Sequence, residues 1–421
     1  MLSRRVLARL LGVDAARVRV DRVEFTGDEL VVWVRPRWRE RWCCPHCAVR
    51  RPGYDRAGRP GRPRPRRWRA VDLGRTRTFI AAEVPRVACP VHGVLVAAVP
   101  WARHGARHTR GFEALAAWCA VEMSASAAAR LLRCSWRTIG QIVTRVCADL
   151  DADGDGLDGL TDIGIDEISY RRGHRYLLVV VDHQARRLVW AAPGANKTTL
   201  NRFFDALGES RCAQLRHISV DGVPWLTQVI TARAPTATLC LDPFHVIRWA
   251  MDALDEVRRE TWRAVRTHRG RGRPAVGEGA RLKNTRWALW KNPDTHTTEQ
   301  RAQLAYLAAT HPRLHRAWAL KEGLRTIFTL PADAAVAALD RWLAWARRCR
   351  IGPFVALAAR IHAYRTHILA TLQHRVTNAL VESLNTKIRL ITRRAFGFRN
   401  VHALIALARL SLGGMRPQLP T

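Results

Sequence analysis

The sequence predicts a multidomain α+β protein: a small β-rich head and a pair of helices, then an α/β core split by a long all-helical insertion. Three observations predict it. Four potential metal ligands fall in two short turns within the first quarter of the chain. From residue 161 three apolar runs follow one another with short breaks, and helical and strand patterns then alternate. Residues 261–365 carry Trp, Leu and Arg at helical spacing without a strand signal.

The chain has 421 residues, enough for two or three domains, and its 48% hydrophobic content is that of a folded protein. Lys and Arg number 70 against 35 Asp and Glu, a formal net charge of +35. Such a surplus favours a polyanionic partner, and nucleic acid is the commonest. The basic start MLSRRVLARLLGVDAARVRV has no sustained apolar core and no small-residue cleavage site, so it does not read as a signal peptide. No uncharged apolar run reaches the roughly 18 residues of a membrane span. The expectation is therefore a cytoplasmic, nucleoid-associated protein with reduced cysteines.

In the head, residues 1–108, the segment ELVVWVRPRW alternates as a strand. Cys44-x-x-Cys47 and Cys89-x-x-His92 then form two knuckles of equal spacing, each beside a proline (Pro45, Pro90), the second followed by Gly93. Such turns aim two ligands at one ion, and a pair of them completes a tetrahedral Zn²⁺ shell in a zinc-ribbon-like head. Cys43 rivals Cys44, but its spacing to Cys47 is one residue too long. The intervening run GRPGRPRPRRWR is too rich in Pro, Gly and Arg to pack as core, and suits phosphate contacts.

Residues 109–150 change to a helical pattern. GFEALAAWCAVEM reads as one amphipathic helix, and two short helices follow, joined at Arg133-Cys134-Ser135 with Ser124 and Ser135 as N-caps. This is helix-turn-helix-like, with Arg137, Thr138 and Gln141 on the face that would enter a major groove. The acidic, Gly-rich stretch DLDADGDGLDGL, residues 149–160, only superficially resembles a Ca²⁺ loop, since no Glu stands at its final position, and it reads as a linker.

The α/β core occupies 160–260. TDIGIDEIS, RYLLVVVDH and RLVWAAP fit an antiparallel meander, followed by helix, strand, helix, strand and helix. Three strands and then alternating helix and strand is the order of a ribonuclease-H-like core. After the insertion, residues 366–415 return to a polar-faced helix ended by Gly397.

Asp166 lies in the middle of the first apolar run, where burying a carboxylate costs roughly several kcal/mol unless something positive compensates it. Asp221 ends the run ISVDG, and Glu382 sits on the late helix. They are separated by 55 and 161 residues, the second gap matching the insertion and its flanks. Two strand-borne Asp and one helix-borne Glu can converge on two Mg²⁺ (or Mn²⁺) ions, which would activate the attacking oxygen and stabilise the leaving oxygen of an in-line displacement. Asn378, Asn385 and Arg389 share the face of Glu382 at helical spacing. Glu167, Asp182 and Asp242 are the competing carboxylates, Asp242 being the strongest substitute for Asp221.

The words CPHC, WRAVDLG, CPVHG, VPWARHGARHTRGFE, GIDE, ISVDG, LDPFHVIRWA and NALVESLNTKIRLITRRAFGFRN carry a resemblance over nearly the whole chain. The sequence resembles the bacterial insertion-sequence transposases of the ISL-three family. The resemblance implies an N-terminal zinc-binding segment and a helix-turn-helix ahead of a DDE catalytic core of ribonuclease-H topology. It assigns the triad to Asp166, Asp221 and Glu382, and makes Asp242 and His245, in DPFH, supporting or DNA-positioning residues.

The function expected on this basis is binding of double-stranded DNA at the terminal inverted repeats of a mobile element, with hydrolysis freeing a 3′-hydroxyl that attacks target DNA. Lys387, Arg389, Arg393 and Arg394 would grip the backbone near the cut, and holding two ends together calls for at least a homodimer. The alternatives are a transposase-derived DNA-binding regulator without catalysis, which would usually have lost one of the three acids, and a structure-selective nuclease on the same core, which would not need the zinc head.

Overall fold

A computed structural model describes residues 4–54, 65–152, 154, 156–267, 277–415, 417 and 419. Residues 58–64 of the basic run GRPGRPRPRRWR lie outside the described residues, as do residues 153 and 155 of the acidic linker, whereas the end of that run packs against expectation, Arg66–Arg69 forming a strand that buries Trp68. The chain divides into two compact units, Met1–Gly156 with Ile388–Thr421, and Leu157–Lys387. Among the described residues no helix is long and apolar enough to cross a membrane.

The first unit opens with α1 (Arg4–Leu10), β1 (Val18–Thr26) and β2 (Glu29–Pro36), followed by β3 (Arg66–Arg69), β4 (Arg77–Ala82), β5 (Arg86–Cys89) and β6 (Gly93–Val96). The first four strands form one sheet in the order β1-β2-β4-β3, and β5 and β6 form a separate two-stranded ribbon. Val20, Val32, Val34, Trp68, Ile80 and Trp101 fill its core. Strand alternation explains why β1, VRVDRVEFT, is hard to read: much of it is exposed and charged.

Three helices follow, α2 (Arg110–Glu122), α3 (Ala125–Leu131) and α4 (Trp136–Ala152). Their starts are capped as the side chains dictate: Thr109 accepts the N–H of Phe112, Ser124 that of Ala127, and Ser135 that of Thr138. Arg133 takes a left-handed φ of 51° to turn the chain between α3 and α4. The expectation of two short helices fails for α4. It runs 17 residues, because Ile139, Ile142, Val143, Val146 and Cys147 extend one buried stripe. The acidic stretch is likewise only partly a linker: residues 149–152 finish α4, and Leu157 and Leu160 are buried in the second unit.

The second unit holds β7 (Asp162–Arg171), β8 (Arg175–Asp182) and β9 (Arg187–Pro193), then α5 (Lys197–Leu207), α6 (Glu209–Cys212), β10 (His217–Val220), α7 (Pro224–Arg233), β11 (Thr238–Leu241) and α8 (Pro243–Thr267). The sheet order is β11-β10-β7-β8-β9. β7, β10 and β11 run parallel, β8 lies antiparallel between β7 and β9, and β7 is therefore the central strand. One face packs Ile163, Ile165, Leu178 and Val180 against Phe203 and Phe204 of α5 and Leu226 and Ile230 of α7.

The insertion contributes α9 (Glu278–Asn284), α10 (Arg286–Trp290), α11 (Thr298–Thr310), α12 (Pro312–Ile327), α13 (Ala332–Arg348) and α14 (Gly352–Ala363), and α15 (Arg365–His374) leads back to β11. It has its own core, continuous with α8, in which Leu254, Leu320, Trp342, Phe354 and Ile361 are buried. Within it the buried Lys321 ammonium is satisfied by Glu322 and by the carbonyl of Leu289. Finally α16 (Ala379–Arg394) counts with the second unit through Lys387 and with the first from Ile388, and α17 (Val401–Leu412) packs on α2 and α4.

Candidate metal and DNA sites

Asp166 occupies the middle of β7, paired with Val179 of β8, and Asp221 follows the last residue of the parallel neighbour β10. Two glycines permit the approach of the helices around them. A Cβ at Gly164 would meet Val381 of α16 at 2.5 Å, and one at Gly222 would meet Trp249 of α8 at 2.4 Å. Gly164 thus lets α16 lie against the central strand. From there Asn385 donates to Oδ2 of Asp166 at 2.7 Å, and Asn378 donates to Oδ1 of Asp221 at 3.3 Å. Both asparagines are 1% exposed. Glu382 sits between them on the same helix face, in the first turn of α16, with its side chain exposed.

The electrostatics are those of crowded acids, with the His245 imidazole beside Asp221 as their neighbouring base. Burial and the neighbouring charge of Asp221 push the Asp166 carboxyl up to about 7. Burial and the same charge raise Glu167. Burial raises Asp242 as well, with the charges of Asp221 and Glu382 adding to it. Burial alone would lower the His245 imidazole, but its contact with Asp221 and the charges of Asp242 and Asp166 raise it. Beneath the acids runs a polar chain that sequence reasoning missed. Nε2 of His183 lies 2.8 Å from Oγ of the buried Ser219, which donates to Oδ1 of Asn378 at 2.5 Å. The available signal was periodicity, since Ser219 breaks an apolar run two residues before Asp221.

The fit to hard divalent cations can be judged from what is left unpaired. Among the described residues, Oδ2 of Asp242 and Oδ1 of Asn385 are buried without a hydrogen-bond partner, beside carboxylates that repel one another. Cations ligated by oxygen relieve both conditions. Asp182 does not belong to this group. It sits opposite Ile163, accepts the N–H groups of Gln184 and Ala185 in the β8–β9 turn, and pairs with Arg187. Its acidity serves the turn.

In the first unit, one ligating atom each of Cys44, Cys47, Cys89 and His92 lies within 4.8 Å of all the others. The separations Cys47–Cys89 at 3.9 Å, Cys44 to Nδ1 of His92 at 3.7 Å and Cys89 to Nδ1 of His92 at 3.5 Å are close to the edges of a zinc tetrahedron, about 3.8 Å between sulfurs. The knuckles are shaped by left-handed residues, Trp42, Ala48 and Gly93. Burial pushes the Cys89 thiol up, yet hydrogen bonds from His92 and the backbone around it prevail and bring it to about 6. Cys43 stands outside the cluster, its sulfur directed to the carbonyls of Arg39 and Arg41.

On the helical pair, Arg137 and Gln141 are exposed at the start of α4, with Trp136 beside them at 54% exposure. Thr138 is half-buried and its hydroxyl lies 2.9 Å from that of Ser135, so it serves the cap. Lys387, Arg389 and Arg393 are exposed on α16. Arg394 departs from the expectation that it grips DNA. Its guanidinium donates to the carbonyls of Ala120, Val121 and Glu122, which end α2 and carry the negative pole of that helix.

Two family models match this chain. One, described as a transposase, covers residues 163–408. The other, the helix-turn-helix domain of transposase family ISL3, covers residues 97–147. The transposase for insertion sequence element IS1557 of Mycobacterium tuberculosis is 49% identical over 100% of this chain and 98% of its own length, in each of two strains. The transposase for insertion sequence element IS1001 of Bordetella parapertussis is 27% identical over 73% of this chain and 75% of its own length.

Proposed function

The chain belongs to transposase family ISL3, and from that premise we propose that it cleaves and joins DNA at the ends of an insertion sequence with Asp166, Asp221 and Glu382 as its metal-binding catalytic acids. The observation that carries the reading is the meeting of α16 with the sheet: Asn378 and Asn385, flanking Glu382 on one helix face, bind Asp221 and Asp166 directly. The strand order, with the antiparallel β8 inside an otherwise parallel arrangement around β7, supports a ribonuclease-H-like core formed by residues 160–260 and, after the insertion 261–365, by 366–387, the rest of the expected 366–415 segment grouping with the first unit.

Two Mg²⁺ or Mn²⁺ ions bound there would supply activation of the attacking oxygen and charge neutralisation on the leaving oxygen. The chain's own part is positioning. Asn385 and Asn378 fix the carboxylates of Asp166 and Asp221, and the Ser219–His183 chain holds Asn378 in turn. Water cleaves first and leaves a 3′-hydroxyl, which then attacks target DNA without a covalent protein intermediate. The zinc-binding head (residues 1–108) and the helix-turn-helix (109–150) bind the terminal inverted repeats through Arg137 and Gln141. Lys387, Arg389 and Arg393 meet phosphates near the cut. At least two copies act together, one on each end.

The test uses end-labelled DNA carrying the inverted repeats that flank the gene, with Mg²⁺ or Mn²⁺. Wild type is expected to nick at the repeat boundary, and folded Asp221→Ala to leave the DNA intact. Equal cleavage by the two proteins overturns the assignment.

A further inference from the structure

Two more side chains share the ledge on which Asp221 stands. The parallel register of β10 and β11 pairs Val220 with Leu241, so Asp221 and Asp242 leave adjacent strands side by side. His245 follows in the first turn of α8. One ligating atom of each of Asp221, Asp242 and His245 lies within 4.8 Å of the other two, and Nε2 of His245 is 2.9 Å from Oδ2 of Asp221.

An ion pair between Asp221 and His245 accounts for those two residues and leaves the third unexplained. Asp242 is 3% exposed. Its Oδ1 accepts the backbone N–H of Asn378 at 3.0 Å, whereas its Oδ2 is buried with no hydrogen-bond partner among the described residues. Folded proteins seldom keep a carboxylate oxygen in that condition unless an ion or a water meets it. Here the orphaned carboxylate belongs to a residue whose neighbours are a second acid and an imidazole, all three within reach of one centre.

We propose that Asp221, Asp242 and His245 together seat one divalent first-row transition-metal ion, with Asp242 a direct ligand. The proposal rests on the reading of Asp221 as a metal-binding acid given above, and adds Asp242 and His245 to it. The donor set fixes the chemical class. Two carboxylates alone would suit Mg²⁺, but an imidazole nitrogen shifts preference toward Mn²⁺ and its heavier neighbours. This centre thereby differs from one built only of oxygen around Asp166 and Glu382.

The experiment is Mn²⁺ binding to the zinc-replete full-length protein, followed by electron paramagnetic resonance, with DNA cleavage measured separately. In wild type, bound Mn²⁺ is expected to show electron-spin-echo coupling to one imidazole ¹⁴N. His245→Gln is expected to abolish that coupling. Asp242→Asn, which keeps the acceptor for the Asn378 N–H, is expected to weaken the same ion at least about tenfold. Asp166→Asn is expected to keep the nitrogen-coupled ion. Circular dichroism checks that each variant is folded, and either of the two seat variants suffices if the other is not. Absence of nitrogen coupling in wild type, its persistence in His245→Gln, or undiminished Mn²⁺ affinity in Asp242→Asn overturns the proposal. Failure of the DDE reading would show differently, as cleavage surviving in Asp166→Asn while the nitrogen-coupled ion remains.

Discussion

The two clusters of candidate metal-ligand side chains are assembled on opposite plans. In the first unit Cys44 and Cys47 share one turn and Cys89 and His92 another, and all four donors face one another at tetrahedral distances. In the second unit the acids come from the middle of β7, the ends of β10 and β11, and the first turn of α16, so that no two of Asp166, Asp221, Asp242 and Glu382 share an element. The Cys and His cluster is closed, with every donor directed at a neighbour. The carboxylate cluster is open, with an exposed Glu382 and buried oxygens that lack partners. Closed soft-donor sites hold structure together, and open hard-donor sites leave room for a substrate. On the proposed reading, the difference separates a site that would fold the head from one that would work on DNA.

The largest expected effect tests the closed cluster. Structural zinc supplies on the order of 10 kcal/mol of apparent binding energy that is also folding energy. Cys89→Ser, or a strong chelator, should therefore release one zinc per chain and unfold the head. Near-ultraviolet circular dichroism reports this through Trp42, Trp68 and Trp101, which pack in its core. An unchanged spectrum after complete metal removal would break the comparison, because the cluster would then be decoration. The next effect tests the open one. Asp166→Asn keeps the shape of the side chain and is expected to lower cleavage on the order of 10³-fold, as losing a charge-stabilising group at a reacting centre does. Binding of the element ends, read by mobility shift, should be nearly unaffected. A parallel loss of binding would mean that Asp166 shapes the DNA site instead.

The same contrast explains what the sequence discloses. The knuckles are local, two donors per turn, so spacing alone picks out the four side chains that cluster. Asp166 is conspicuous because a carboxylate interrupts an apolar run, and helical spacing alone brings Asn378 and Asn385 to the face of Glu382. The supports around them are not local. Ser219 and His183 meet Asn378 only because β10, the β8 terminus and α16 converge, and Gly164 is needed because Val381, His183 and Ser219 all pack where its Cβ would be. Asp182 looks like a site acid from its strand end, but register sets it opposite Ile163, where the turn consumes both its oxygens. The length of α4 and the place of residues 388–421 with the first unit depend on packing partners far along the chain.

A third prediction sharpens the difference in acid behaviour within the second unit. Asp162 starts the strand that carries Asp166, yet its environment is inverted. Burial pushes its carboxyl up, but hydrogen bonds from Gln184, His217 and Thr161 prevail and hold it at about 2, below the usual 3.8. A carboxyl depressed on folding stabilises the native state above its unfolded value and loses that contribution as pH falls through the folded one. Asp162 should accordingly contribute about 2 kcal/mol above pH 4, disappearing between pH 4 and 2. Asp162→Asn should flatten the urea-denaturation stability of the protein over that window. A slope equal to wild type would show that other acids set the acid limit.

The smallest effect separates two adjacent arginines at the end of α16. Arg393 is exposed, and among the described residues its guanidinium has no hydrogen-bond or ion-pair partner that would compete with a phosphate. Arg394 already donates to the last carbonyls of α2, where a cation is favoured by the helix dipole. Removing a charged donor from partly exposed carbonyls costs about 1 kcal/mol, so Arg394→Ala should lower the unfolding midpoint slightly. It should leave the salt dependence of DNA binding as it was. Arg393→Ala should do the reverse, sparing stability while reducing the slope of log affinity against log salt by about 0.9, the value for one lost phosphate contact. Measuring both slopes on the same DNA decides the matter. If Arg394→Ala shifts the slope and Arg393→Ala does not, the carbonyl contacts give way when DNA binds, and the end of α16 is a DNA contact after all.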